Sequence, residues 1–150
     1  MAEMTIAPVA THGFFVDGRW QQDGDVVEIH APYDDSLVAR VTQGRKQHAE
    51  AAIAAAVKAF GTTRRLPAFE RQRVLRRIAA TIAERKEEFA HTLAQEAGKP
   101  IKAARTEVER AIFTFNVAAE ESTRIYGEFL PLDWREFTAG RWGIMRRFPL

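Results

Sequence analysis

The sequence predicts an α/β chain with a small antiparallel β layer first, three main helices next and two strands at the end. Three observations carry this. Between Phe14 and Val41, short β-branched and aromatic runs alternate with turn dipeptides. From Lys46 to Ile125, apolar residues recur at steps of three and four, the period of a helix with one buried face. Beyond Gly127 the pattern becomes extended again.

Met1 to His12 carry no regular pattern and are expected to be disordered. Phe14-Phe15-Val16 and Arg19-Trp20 flank Asp17-Gly18, a dipeptide suited to a type I′ turn because both central residues need positive φ. A hairpin follows from that. Val26 to Ile29 and Leu37 to Val41 read as a second strand pair, joined by the turn-forming Ala31-Pro32-Tyr33-Asp34-Asp35-Ser36. The first helix spans Lys46 to Phe60, with Ala49, Ile53, Val57 and Phe60 on one face and Gly61 as its stop. The second runs from Pro67 to Ala97 on the stripe Val74, Leu75, Ile78, Ala79, Ile82, Phe89 and Leu93, interrupted by one polar turn at Arg85-Lys86. Gly98 suits a left-handed position after a helix, and Pro100 cannot continue one but can open the next. That third helix carries Ile101, Ala104, Val108, Ile112, Phe115, Ala119 and Ile125 on its apolar face, up to Gly127. Glu107 with Arg110 and Glu120 with Arg124 stand at pairing distance along it, worth about 0.2 to 0.5 kcal/mol each. Glu128 to Leu132 and Trp142 to Phe148 are the closing strands, and the chain ends at Pro149-Leu150 as though interrupted.

With 150 residues and 46% hydrophobic composition, the chain has enough apolar surface for one core. It has no cysteine, so disulfides, thiolate metal sites and a thiol nucleophile are excluded. A formal charge of +2 from 22 basic and 20 acidic residues does not make a polycation. No signal-like segment or long apolar run appears, and a cytoplasmic location without membrane or nucleic-acid partners is expected.

The sequence contains no GxGxxG or GxxxxGK[ST] phosphate loop, no HExxH and no GxSxG. The carboxylates Glu87-Glu88 and Glu120-Glu121 read as solvated helix surface, and so does the arginine group Arg64, Arg65, Arg71, Arg73, Arg76 and Arg77. For Lys99, its place near a helix C-terminus gives a dipole reason for a cation. Read from residues alone, the chain contains no self-contained active site.

A family resemblance extends the reading. Phe15-Val16-Asp17-Gly18-Arg19-Trp20, Ala31-Pro32-Tyr33-Asp34, Pro67-Ala68-Phe69-Glu70-Arg71, Glu96-Ala97-Gly98-Lys99-Pro100, Glu107-Val108-Glu109-Arg110-Ala111, Gly127-Glu128, Gly140-Arg141 and Arg147-Phe148-Pro149-Leu150 occur in an order and spacing that resembles the N-terminal part of the NAD(P)-dependent aldehyde dehydrogenase superfamily. The run from Ala118 to Asp133 looks most like members acting on lactaldehyde, glyceraldehyde 3-phosphate or semialdehydes. The sequence departs from the family pattern at Ala31, where asparagine is usual, and near Thr63, where tryptophan is usual.

The resemblance implies an incomplete aldehyde dehydrogenase fold covering roughly the first third of a member. On that reading residues 13–126 are the N-terminal helical part of the cofactor-binding domain, and 127–150 are strands of the oligomerisation region that stop before the cofactor site. Family members oxidise an aldehyde to a carboxylic acid through a cysteine thiolate, a nicotinamide cofactor (NAD or NADP) and a glutamate general base, all placed later in the family sequence. This chain alone is therefore expected to be inactive and to bind no cofactor, with no catalytic residue of its own. By position, Arg110 and Thr106 match the helix that lines the substrate tunnel; there a guanidinium suits a phosphate or carboxylate on the substrate, and an intrahelical pair with Glu107 is the plain alternative. Glu96 matches an acidic position that helps hold a monovalent cation in some members, or is a simple helix-end carboxylate. Expected partners are the remainder of the enzyme, a homo-oligomer and a small aldehyde. The rival reading is a standalone interaction module that binds or modulates an aldehyde dehydrogenase subunit.

Overall fold

The computed structural model describes residues 9–149. Strands β1 (Thr11–His12), β4 (Asp25–His30) and β5 (Leu37–Gln43) form one sheet in the order β1-β5-β4, with β1 parallel and β4 antiparallel to β5. Strands β2 (Phe14–Val16) and β3 (Arg19–Gln21) form a separate hairpin, and Asp17 (φ 49°) and Gly18 (φ 76°) take the two positive φ angles that its turn requires. The expectation of disorder over residues 1–12 is corrected at Thr11 and His12, whose backbones pair with Arg40 and Val41 of β5. Residues 1–8 lie outside the described part of the chain.

Four helices follow: α1 (Lys46–Thr63), α2 (Ala68–Glu84), α3 (Lys86–Ala97) and α4 (Ile101–Glu121). The expected helix from Pro67 to Ala97 divides at Arg85, whose φ of −104° and ψ of 21° leave the helical region. The cause is electrostatic as well as apolar. The polar turn carries no core residue between Ile82 and Phe89, and its charges reach α4 instead: Lys86 Nζ lies 2.5 Å from Glu109, and the Arg105 guanidinium donates to Glu87 at 2.9 Å. Bending there lets α3 follow α4 after α2 has packed on it.

Helix α4 packs along both α2 and α3. Its innermost contacts are Ala104 and Val108 against Ala90 of α3, surrounded by Ile82, Leu93, Ala94, Ile101 and Ile112. Ala79 and Ala119 are also buried. Small side chains let helix backbones approach closely, but they bury little area each, and no large side chain is fully buried among the described residues. The core is thin.

Three boundaries differ from the sequence expectation. Helix α1 passes through Gly61 to Thr63, because Gly61 keeps a helical backbone and Arg64 N–H closes the end by donating to Phe60 O. The α1 stripe is largely solvent-facing: Ile53 and Val57 are 65% and 71% exposed, and the only buried residue of the helix is His48, which meets the Phe14 ring of β2 at 4.7 Å. Helix α4 stops at Glu121 rather than reaching Gly127, since Ser122 Oγ and Thr123 Oγ1 donate to Ala119 O and Glu120 O and divert the last carbonyls. Ile125 is thus outside the stripe. Strands β6 (Glu128–Pro131) and β7 (Trp142–Met145) pair antiparallel, with Phe129 stacked on Trp142 at 5.4 Å, while Arg146 to Phe148 lie beyond the strand. No helix among the described residues is long and apolar enough to cross a membrane.

The corner between α3 and α4 joins the two halves of the chain. Gly98 takes a left-handed φ of 62°, and a Cβ built there would stand 3.3 Å from Pro32 Cβ in the β4–β5 turn. Gly98→Ala is expected to cost about 1–2 kcal/mol through the left-handed backbone alone, read as a lowered thermal midpoint. An unchanged midpoint would contradict this account of the corner.

Candidate functional site

Helix α4 begins after Pro100, and its first three turns present one face at steps of three and four residues. Lys102, Ala103, Thr106, Glu107 and Arg110 fall on that face, and together with Lys99 and Pro100 they line an open groove of about 560 Å³. The two tunnel candidates, Thr106 and Arg110, are therefore brought together. Thr106 Oγ1 donates to Lys102 O at 3.1 Å, which fixes the hydroxyl proton and leaves the oxygen as an acceptor toward the groove.

The electrostatics of the groove turn on Glu107. Its carboxylate takes the Lys99 ammonium as hydrogen-bonded ion-pair partner, rather than the Arg110 guanidinium expected from helical spacing. The Lys99 hydrogen bond and charge, helped by the more distant Arg110, hold the Glu107 carboxyl below the usual carboxylate range. Because Lys99 arrives from outside the helix, it reaches Glu107 across the corner; an i, i+3 pair would constrain two side chains on one helix. Three cations thus face the groove with a single carboxylate among them, and that carboxylate is engaged. The second expected pair, Glu120 with Arg124, is likewise exchanged: Glu120 meets Arg76 of α2 at 2.7 Å, and Arg124 meets Glu121 at 2.9 Å.

Glu96 stands apart. It is exposed on the last turn of α3 and does not line the groove. No cluster of three or more His, Asp or Glu suited to a metal ion occurs among the described residues. The arginine group is divided by the fold: Arg73 and Arg76 pair with Glu70 at 3.5 Å and Glu120 at 2.7 Å, whereas Arg64, Arg65 and Arg71 turn toward Arg146 and Arg147. Lys102 was not singled out from sequence, although its spacing of four from Thr106 and eight from Arg110 places all three on one helical face.

The sheets are small and no strand–helix–strand crossover unit with a glycine-rich turn occurs among the described residues, so the backbone geometry that receives a dinucleotide pyrophosphate is not formed by these elements. The groove can receive an anionic group through Arg110, Lys102 and Thr106. With no cysteine in the sequence, it offers no thiolate for covalent chemistry.

Comparison with known proteins agrees with this partial architecture. A model of the aldehyde dehydrogenase family matches residues 20–150. The chain is 32% identical over 146 residues to 3-sulfolactaldehyde dehydrogenase of Priestia aryabhattai, covering 97% of this chain and 30% of that protein. Aldehyde dehydrogenase 21 of Physcomitrella patens, solved in complex with the reaction product succinate, superposes with a TM-score of 0.84 at 40% identity, covering 93% of this chain and 29% of that one. An NAD-dependent benzaldehyde dehydrogenase from Corynebacterium glutamicum superposes with a TM-score of 0.73 at 29% identity, over 79% of this chain and 26% of that one. The chain spans between 22% and 30% of the length of the curated relatives it matches. A family match across residues 20–150, most of the sequence, means that this chain belongs to the aldehyde dehydrogenase family.

Proposed function

We propose that this chain is the N-terminal third of an NAD(P)-dependent aldehyde dehydrogenase that oxidises a small aldehyde carrying an anionic group to the corresponding acid. The observation that carries the reading is the groove in which Arg110 faces solvent beside Thr106 and Lys102 while Glu107 is held by Lys99. An unpaired guanidinium binds a carboxylate, sulfonate or phosphate through two parallel N–H donors, and Lys102 adds a second positive charge. Two relatives support the substrate class by their own chemistry, one acting on a sulfonated lactaldehyde and one releasing succinate.

In this proposal residues 13–126 belong to the cofactor-binding domain. Residues 127–150 belong to the oligomerisation layer, and the exposed aromatic rings of Phe129, Trp134 and Trp142 on and beside the β6–β7 hairpin suit burial against another surface. In this reading the nucleophile, the general base and the nicotinamide site belong to later parts of the enzyme, and the chain by itself is expected neither to bind NAD(P) nor to turn over. Glu96, exposed on the last turn of α3, either helps to hold a monovalent cation or is a helix-end carboxylate.

Two measurements on the purified chain test this. Calorimetric titration with NAD and with NADP is expected to give no saturable binding, and incubation with cofactor and an aldehyde is expected to give no reduced nicotinamide. Reduced nicotinamide formed by the chain alone would overturn the proposal.

A further inference from the structure

We propose that the groove between the α1–α2 connector and residues 146–149 binds a small, multiply charged oxyanion of the phosphate class. It lies past the C-terminal end of α4, at Ile125, and is separate from the Arg110 groove at the start of that helix. Its volume of about 730 Å³ falls within the range of small-ligand clefts, roughly 300–1,000 Å³.

Five guanidiniums line it, those of Arg64, Arg65, Arg71, Arg146 and Arg147, and no carboxylate does. Several arginines elsewhere in the chain are matched by acids, as Arg45 is by Asp25, Arg76 by Glu120 and Arg105 by Glu87. In the groove the holding groups are neutral. Arg64 sits over the Phe60 ring at 5.4 Å, and Arg146 sits over the Phe148 ring at 5.2 Å. Arg71 donates to Leu66 O at 2.5 Å and to Ser122 O at 3.2 Å. Rings and carbonyls fix three of the five forks in place without cancelling their charge, so the positive potential is both preorganised and uncompensated. Like charges gathered this way repel one another, and a bound oxyanion removes that repulsion. Phosphate-class ligands fit best because each guanidinium presents two parallel N–H donors to a pair of oxygens. The start of α2, Pro67 and Ala68, forms part of the wall and adds a dipole of the same sign.

The test is calorimetric titration of the 150-residue chain with inorganic pyrophosphate at low salt, with circular dichroism confirming that each variant is folded. One saturable site is expected, weakening as salt is raised. Arg64→Gln with Arg147→Gln is expected to weaken binding by at least roughly tenfold, since each removes a charge-assisted contact. Arg73→Gln with Arg77→Gln makes the same change in net charge outside the groove and is expected to leave binding within about twofold. If the first pair disturbs folding, Arg65→Gln with Arg146→Gln is expected to give the same loss. Absence of saturable binding would overturn the proposal, as would equal losses from the groove and control pairs. Affinity for single-stranded oligonucleotides that exceeds that for pyrophosphate and grows with length would also overturn it, by assigning the arginines to a polymer surface.

Discussion

Val108→Asp is expected to abolish the cooperative thermal transition of the chain, whereas Phe113→Asp on the same helix is expected to leave it in place. Val108 is 3% exposed and belongs to an apolar cluster with Ala90 and Ala104. A carboxylate there has no cation or donor within the cluster, and an unpaired buried charge costs about 3–5 kcal/mol. A typical domain has only about 5–15 kcal/mol in total. A cost of that size is expected to be decisive here, because the helix contacts rest on alanines and no large side chain is fully buried among the described residues. Phe113 is 69% exposed, so a charge at that position stays in water. Thermal melts followed by circular dichroism read both variants. Matching transitions for the two would mean that the α3–α4 contact does not hold the helices together.

The second large effect concerns Arg110, and it is read in a complete enzyme. In a chimera, residues 14–149 of this chain replace the corresponding part of the Physcomitrella patens enzyme, which matches it at 40% identity. There Arg110→Gln is expected to lower kcat/KM about 10- to 100-fold for an aldehyde bearing a terminal carboxylate, and to leave a neutral aldehyde of equal length nearly unchanged. The magnitude follows from losing one charge-assisted interaction of about 1.5–3 kcal/mol. Arg110→Lys keeps the charge but loses the two-pronged geometry, so it is expected to fall between. Equal losses for the charged and neutral aldehydes would mean that Arg110 supports the helix rather than the substrate.

How far the sequence could be read depended on whether a feature was local. The Asp17-Gly18 turn and the Gly98-Lys99-Pro100 corner were legible because each is set by the backbone preferences of two or three adjacent residues. The break at Arg85 was not, although its polar turn was visible, since the bend depends on Lys86 and Glu87 finding Glu109 and Arg105 on another helix. Partner exchange is the same kind of information. Spacing gives Arg110 to Glu107 and the family resemblance gives it to a substrate; the fold brings Lys99 to Glu107 and leaves Arg110 facing the groove. The α1 stripe shows a third limit. Its period correctly marks a helix, but a period cannot say what covers the face, and Ile53 and Val57 remain in solvent. Arg146 and Arg147, far along the chain from Arg64 and Arg65, join them in a groove that no local pattern signals.

If these residues are the first third of an aldehyde dehydrogenase, joining them to the remainder of a relative restores a working enzyme. The most direct measurement is NAD(P)-dependent oxidation, by the chimera, of the aldehyde that yields succinate. Turnover by the chimera and none by the chain alone is the expected result under the same conditions. A soluble, folded chimera without turnover, beside an active parent enzyme, would contradict it.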